Sequence, residues 1–320
     1  PPVPSISVVS PVYGFSQCLE SLVQCIDIAL FGLVDSHEVI FVDDASPDDA
    51  WTRIVELAGA NPNVRGLRLS RNFGQHPAIF AGIDSARGRY VVVMDCDLQD
   101  MPEQIPLLYQ ALVNEGHEAV FARRTVRHDG PFKRLGSFLF YRFLASLTNV
   151  PQDHRTANFG IYTRKVIDIV RSMPEAERFF PLMVKWAGFQ TGYVDVSHGE
   201  REQGRSSYSF RKLLRLALSV VLSYSDQPLR MVVKAGLSFA LLAFIFVVFS
   251  IWRWFAGDIA VAGFTSIIAS IWLLGGAMVF SIGVVGLYVG RTFNDAKRRP
   301  QYIIDRTTDG KSADTDVQDD

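Results

Sequence analysis

The stretch "VVVMDCDLQD", residues 91–100, decides how this chain is read. Four apolar residues end abruptly in Asp95, Asp97 and Asp100. Carboxylates this close repel one another, and burying one unpaired is costly. Two carboxylates spaced i and i+2 at a strand end can turn toward one hard cation where the backbone bends. Mg2+ and Mn2+ prefer oxygen ligands and are often shared with substrate phosphates. A divalent ion would therefore offset the repulsion and in turn hold a diphosphate, with Gln99 offering a neutral oxygen as a further ligand. The spacing alone is weak, since Asp314-Thr315-Asp316 repeats it in the acidic tail. Context separates the two copies, because the first follows an apolar strand and precedes LQDMPEQ, where Pro102 can open a helix. The bland alternative is a loop with solvated caps.

Working outward, residues 1–125 alternate between short apolar runs and amphipathic stretches. SISVVSPVY, HEVIFVDD, VRGLRLS, RYVVVMD and HEAVFA read as strands. Gln17–Leu33, the stretch opened by Ser46-Pro47-Asp48-Asp49, Pro77–Ala86 and Pro102–Asn114 read as helices, with Ser46 as an N-cap. Residues 157–200 read as strand, helix, helix, strand. Alternating units of this kind predict an α/β fold with a mostly parallel sheet covered by helices on both faces. Ligands of such sheets gather outside the carboxyl ends of the strands. The polar punctuation falls there: Tyr13 after the first strand, Asp43 and Asp44 after the second, Arg71 after the third, Asp95 and Asp97 after the fourth. Asp43 and Asp44 suit recognition of a base or ribose, or else ordinary turn chemistry. Arg71, in Arg71-Asn72-Phe73-Gly74, suits a phosphate, or is a surface arginine. His76 is a lone histidine, more often packing than catalysis.

The chain of 320 residues has a formal net charge of −1, which carries no nucleic-acid footprint. Three cysteines without framework spacing argue against a disulfide scaffold and against zinc. The N-terminal stretch reads as no secretory signal. The apolar content, 48%, is concentrated late. Residues 235–252 and 259–289 carry no charge, and each reaches the ~18–20 residues that span a bilayer. They predict a transmembrane hairpin joined by RWFAGD, with Trp252, Trp254 and Phe255 at the far interface. Arg230 and Lys234 before it, and Arg291, Lys297, Arg298 and Arg299 after it, place both flanks in the cytoplasm. The expected organisation is a cytoplasmic domain over 1–209, an interfacial basic amphipathic helix over 210–229, two spans over 230–292 and a cytoplasmic tail over 293–320. From Asp305 that tail is small, polar and acidic and reads as unstructured at its end. The expected location is the inner (cytoplasmic) membrane with both termini cytoplasmic. So small a membrane footprint is compatible with association of copies into a homo-oligomer.

A second basic group stands apart from the strand ends. Arg123, Arg124, Lys133 and Arg134 cluster around a basic helix at 130–148, and Arg201 and Arg205 flank Gly204 in the loop REQGRSSYS. They suit the phosphate of a lipid or a leaving diphosphate, or form a generic cytoplasmic-side surface.

In order along the chain, SVVSPVYG, EVIFVDDASPDD, LSRNFGQHPAIFAGID, VVVMDCDLQDMPEQIPLL, REQGRSSYSFRKLLRLAL and the final RRPQYII resemble the family 2 glycosyltransferases of the GT-A fold. The resemblance covers about residues 5–303 and is nearest to the branch that uses polyprenyl-phosphate acceptors. It implies a nucleotide-sugar donor, Mg2+ or Mn2+, and a polyprenyl phosphate at a membrane. It places metal and diphosphate contacts at Asp95, Asp97 and Gln99, and the nucleotide pocket at Pro11, Tyr13, Asp43 and Asp44. It also places a diphosphate-contacting arginine at Arg201, and the lipid phosphate near Arg123, Lys133 and Ser137. The family's PVYNE is PVYGF here, its NFGKE-like segment is NFGQH, and its D-x-x-x-GFR-like segment is DHRTANFG, so no role carries over to Asp153. A processive polysaccharide synthase is disfavoured by two spans and by the absence of a Q-x-x-R-W helix. A non-catalytic membrane scaffold with a degenerate domain is disfavoured by the intact DCDLQD and REQGRSS. A soluble nucleotidyltransferase is disfavoured by the hairpin.

Overall fold

The structure is a computed structural model that describes residues 4–124, 156–175, 178–196, 227–255, 264–297 and 299–309. The chain divides into two compact units. The first holds the described residues up to 196 and from 299 on; the second holds those from 227 to 297.

Among the described residues of the first unit, eight strands form one sheet: β1 (Ile6–Val12), β2 (His37–Asp43), β3 (Val64–Leu69), β4 (Tyr90–Val93), β5 (Ala119–Arg124), β6 (Thr156–Thr163), β7 (Thr191–Val196) and β8 (Ile304–Thr307). Their order is β7-β5-β6-β4-β1-β2-β3-β8. The central run β4-β1-β2-β3 is parallel, β5 and β7 pair in parallel, and β6 and β8 join antiparallel. The mostly parallel sheet expected from the alternation is present. The reason lies in composition: β1 and β2, ISVVSPV and HEVIFVD, are buried along nearly their whole length, as strands covered on both faces must be.

Helices α1 (Leu19–Leu30), α2 (Ala50–Ala60), α3 (Gln75–Ser85), α4 (Ile105–Asn114), α5 (Arg164–Ser172) and α6 (Phe180–Trp186) complete this unit. Leu22, Ile26 and Leu30 of α1 and Ile105, Leu108 and Leu112 of α4 pack in one cluster with Val8, Phe41 and Val92 from alternating strand positions. The opposite face is covered by α3, which lies so close that a side chain at Gly82 would meet Val9 Cγ1 at 2.3 Å and Val42 Cγ2 at 3.2 Å. Phe80 of α3 stacks edge-on with Phe180 of α6, and Phe180 with Tyr162 of β6.

Two local expectations change. Ser46 does not cap α2: that helix starts at Ala50 after Asp49, and the Ser46 hydroxyl instead accepts the Gly14 N–H at 2.6 Å. The tail is not featureless from Asp305: Ile304–Thr307 adds to the sheet as β8, antiparallel to β3.

The second unit contains α7 (Gln227–Phe255) and α8 (Phe264–Ala296), which touch one another. Among the described residues one helix, α8, is long and apolar enough to cross a membrane, with mean hydropathy 2.0 over Leu273–Gly290.

Candidate functional site

The chain leaves β1 for β2 on one side and later enters β4 on the other, so the strand order reverses between β1 and β4. Beyond the carboxyl ends of such strands a crevice opens. Tyr13 follows β1 there, half exposed at 51%. Pro11 lies beyond the last β1–β4 pair, Val9↔Val93, where that ladder has already ended. Asp95 and Asp97 follow β4.

The turn that carries the aspartates is anchored from within. Cys96 is buried between them and takes a backbone hydrogen bond from Tyr13, which ties the ends of β1 and β4 together. Burial, and then the neighbouring Asp95 and Asp97, push its thiol far above the usual range, which disfavours the thiolate. The buried Asp100 accepts the Asp95 N–H at 3.5 Å, and Asp97 Oδ1 accepts the Gln99 N–H at 3.2 Å. Asp95 Oδ1 accepts the Gln75 side-chain amide at 2.6 Å. Leu98 closes the turn at φ 59°, a left-handed conformation costly for a side chain with a Cβ. The other described non-glycine residue in the left-handed region is Ala45, at φ 51°, directly after Asp44. Both strained residues sit in loops beyond strand-end aspartates, where backbone strain tends to mark function.

Asp43 and Asp44 are buried and do different things. Asp43 Oδ1 accepts the Ser46 N–H at 2.8 Å, while Oδ2 lies 3.4 Å from Arg68 Nε and has no hydrogen-bond partner among the described residues. Asp44 spends both oxygens on backbone, accepting the Phe73 N–H at 2.7 Å and the Gly74 N–H at 2.8 Å. Burial pushes both carboxyls above their ordinary range, and these hydrogen bonds work against it. Asp48 accepts from Phe15 and Ser16 at 3.1 Å each and from Ala50 at 3.3 Å. Its burial is outweighed by hydrogen bonds from Ser16, Ser46 and Ala50, which hold its carboxyl below the usual range. Together with Ser46, Asp48 clamps the Gly14–Ser16 loop to the end of β2. Gly14, at φ 70°, stands where a left-handed residue is required. Arg71 is exposed and lies over the Phe73 ring at 4.0 Å.

His76 follows Gln75 at the start of α3 and lies against Phe179, with ring centroids 4.3 Å apart and the planes tilted by 55°. Burial pulls it from its ordinary 6.5 to about 4. Between those values the unfolded chain binds a proton that the folded chain does not, so this stability is full above about pH 6.5 and is lost as pH falls toward 4. His76→Phe is expected to flatten that part of the pH profile. Unfolding midpoints at pH 7 and pH 5 test it: equal drops in both proteins remove His76 as the cause.

The donor set suits a hard divalent ion. Two carboxylates project from one turn with the soft thiol between them buried. Among the described residues no group of three or more His, Cys, Asp and Glu side chains converges. An ion bound by two aspartates leaves positions for water and substrate oxygens, as Mg2+ commonly requires.

The basic candidates are placed less fully. Arg123, at the end of β5, forms a two-point pair with Asp195 of β7 at 2.5 and 3.0 Å. Lys133, Arg134, Ser137, Asp153, Arg201 and Arg205 lie outside the described residues. Sequence reasoning missed Gln75, the anchoring role of Cys96 and the part Asp48 plays in the loop, and gave Ser46 a helix-capping role in place of its bond to Gly14. Only the position of Cys96 between two aspartates was a signal for any of them.

The comparisons with known proteins bear on the fold and the family. The profile of "Glycosyl transferase family 2" matches residues 7–169, from β1 through α5. A "Prophage bactoprenol glucosyl transferase homolog" of Escherichia coli is 35% identical over 304 residues, 94% of this chain and 98% of that protein. An "Undecaprenyl-phosphate 4-deoxy-4-formamido-L-arabinose transferase" of Klebsiella pneumoniae is 33% identical over 309 residues, 96% of this chain and 94% of that protein. Among solved structures, glucosyl-3-phosphoglycerate synthase from Mycobacterium tuberculosis, in complex with Mn2+, UDP-glucose and phosphoglyceric acid, shares the fold. It superposes with a TM-score of 0.51 at 19% identity, over 69% of this chain and 78% of that one. A GT-A-like sheet whose order reverses at an aspartate pair, a profile over half of the chain, and full-length relatives above 30% identity lead to one assignment: the chain belongs to glycosyl transferase family 2.

Proposed function

We propose that this chain transfers a sugar from a UDP-sugar to undecaprenyl phosphate at the cytoplasmic membrane, giving a lipid-phosphate-linked sugar with inverted C1 configuration. The observation that carries the reading is the aspartate pair at the β1/β4 reversal, held by Cys96, Asp100 and Gln75. The relatives named for bactoprenol and undecaprenyl phosphate, and the two apolar C-terminal segments, support the acceptor and its location.

In this reading a lipid-phosphate oxygen attacks C1 of the sugar in line. The new C1–O bond forms as the bond to the nucleoside diphosphate breaks, and the diphosphate departs with the electron pair. A phosphate is already anionic, so no strong general base is required. Asp95 and Asp97, with Gln99, would hold Mg2+ or Mn2+, which when bound stabilises the charge developing on the leaving diphosphate. Pro11, Tyr13 and Asp43 border the nucleotide, Asp44 holds the loop that carries Arg71, and Arg201 contacts the diphosphate. Lys133, Arg134, Ser137 and Arg205 receive the acceptor phosphate, and Arg123 joins them by exchanging Asp195 for it. The segments 235–252 and 259–289 form the membrane hairpin, with the catalytic domain and both ends of the chain on the cytoplasmic side.

Nucleotide binding tests the donor half. UDP with Mn2+, at about a hundred times its dissociation constant, is expected to add ~2.7 kcal/mol and to raise the unfolding midpoint by a few degrees. EDTA should cancel the shift. No stabilisation by any nucleoside diphosphate with Mn2+ or Mg2+ would instead favour a non-catalytic scaffold.

A further inference from the structure

The segment that follows α8 returns to the first unit and grips the donor side of the site. β8 pairs with β3 through Leu67↔Thr307, Arg68↔Arg306 and Leu69↔Ile304, with an irregularity between Arg68 and Leu69. Gly66 N–H donates to Thr308 Oγ1 at 2.9 Å, and Thr308 N–H donates back to the Gly66 carbonyl at 3.0 Å. Arg65 Nε donates to Asp309 at 3.0 Å. Just past the strand, Ser70 N–H donates to the Ile303 carbonyl at 2.9 Å. Tyr302 hydroxyl donates to Asp84 Oδ2 at 2.6 Å, and Gln301 donates to the Glu175 carbonyl.

These contacts fall on both sides of one short loop. Ser70 begins Arg71-Asn72-Phe73-Gly74, whose Phe73 and Gly74 amides are held by Asp44. Asp84 lies in the last turn of α3, whose first residue, Gln75, holds Asp95. Arg171 Nε also donates to Asp84, at 2.7 Å, which fixes the carboxylate that Tyr302 reaches. Burial, then Asp84, raise the Tyr302 phenol well above its ordinary range, so the hydroxyl stays a donor. Thus β3 before the loop and α3 after it are both fastened to residues 301–309, which lie more than 200 positions further along the chain.

We propose that residues 301–309 are a strap that positions the 70–75 loop and the Gln75–Asp95 contact, making Tyr302 and Thr308 positioning residues for donor binding. The segment RRPQYII, read from sequence as part of a tail, supplies three of its anchors: Gln301, Tyr302 and Ile303. The functional half of the proposal rests on the donor-pocket reading above; the structural half does not.

Amide hydrogen exchange, compared between the full-length protein and a shortened chain, separates the two. Ending the chain after Pro300 is expected to speed exchange at Phe73 and Gly74 about tenfold or more, while Val8 and Val92 in the central strands keep their protection. Unchanged exchange at Phe73 and Gly74 overturns the proposal. Tyr302→Phe keeps the ring and loses only the hydroxyl bond, so it reads the effect even where truncation unfolds the unit. It is expected to raise the donor KM about three- to tenfold, the factor one hydrogen bond is worth, with kcat within about twofold of wild type. An equal fall in kcat with KM unchanged, or no change in either, overturns the positioning role. Absence of donor turnover in the wild-type protein would contradict the proposed function and leave the exchange result to decide the strap.

Discussion

Asp97→Ala is expected to lower glycosyl transfer by about a thousandfold or more while leaving the domain folded. Asp97 sits in the turn after β4, partly exposed, and its carboxylate accepts the Gln99 N–H at 3.2 Å. Losing that bond costs the fold about 1 kcal/mol. The chemical loss is far larger. With no third His, Cys, Asp or Glu converging among the described residues, removing Asp97 leaves Asp95 as the sole carboxylate of the pair. The divalent ion that the pair would hold, and that would offset the charge developing on the departing diphosphate, would then be held by one carboxylate fewer, and each 1.36 kcal/mol lost from the transition state is a factor of ten. Turnover under saturating donor, beside an unfolding curve, is the measurement. A folded variant with near wild-type turnover would sink the metal-site assignment.

The second large effect is expected at Asp44. Asp44→Ala removes two charge-assisted hydrogen bonds and leaves the half-buried amides of Phe73 and Gly74 without them, a loss of about 3 kcal/mol. The loop that presents Arg71 then loses its hold, so donor KM should rise about tenfold or more together with the fall in stability. Asp44→Asn keeps one acceptor and turns an NH2 group toward the other amide, and should fall between wild type and alanine. Paired unfolding and donor-binding curves distinguish two roles. If alanine weakens donor binding with no loss of stability, Asp44 touches the nucleotide directly instead of holding the loop.

The parts of this molecule that were legible in the sequence are those with a local signature. Apolar runs such as VVVMD and HEVIFVDD, separated by amphipathic stretches, announced β2, β4 and the parallel sheet, because strands buried on both faces must be apolar throughout. Aspartates at the ends of those runs marked the carboxyl edge of the sheet. What stayed hidden depends on contacts between distant residues. Ser46 looked like a helix cap because its spacing to Asp49 fits one, yet its hydroxyl serves an amide 32 positions away. Asp44 fitted either a ligand contact or turn chemistry, and the two amides it holds lie 29 and 30 residues downstream. Arg123 looked available for a phosphate, and only the β5–β7 register brings Asp195 opposite it. β8 was invisible for a related reason. Four residues, Ile-Asp-Arg-Thr, have no periodicity of their own and become a strand only because β3 offers an open edge.

The central claim is a reaction, and one measurement reaches it directly. The full-length protein, incubated with undecaprenyl phosphate, Mg2+ or Mn2+ and each common UDP- and GDP-sugar in turn, is assayed for glycolipid by mass spectrometry. A new lipid-phosphate-sugar is expected with one donor, a UDP-sugar, and its loss on adding EDTA. A protein that binds UDP with Mn2+ yet forms no such lipid from any donor, or forms it undiminished in EDTA, would contradict the central claim.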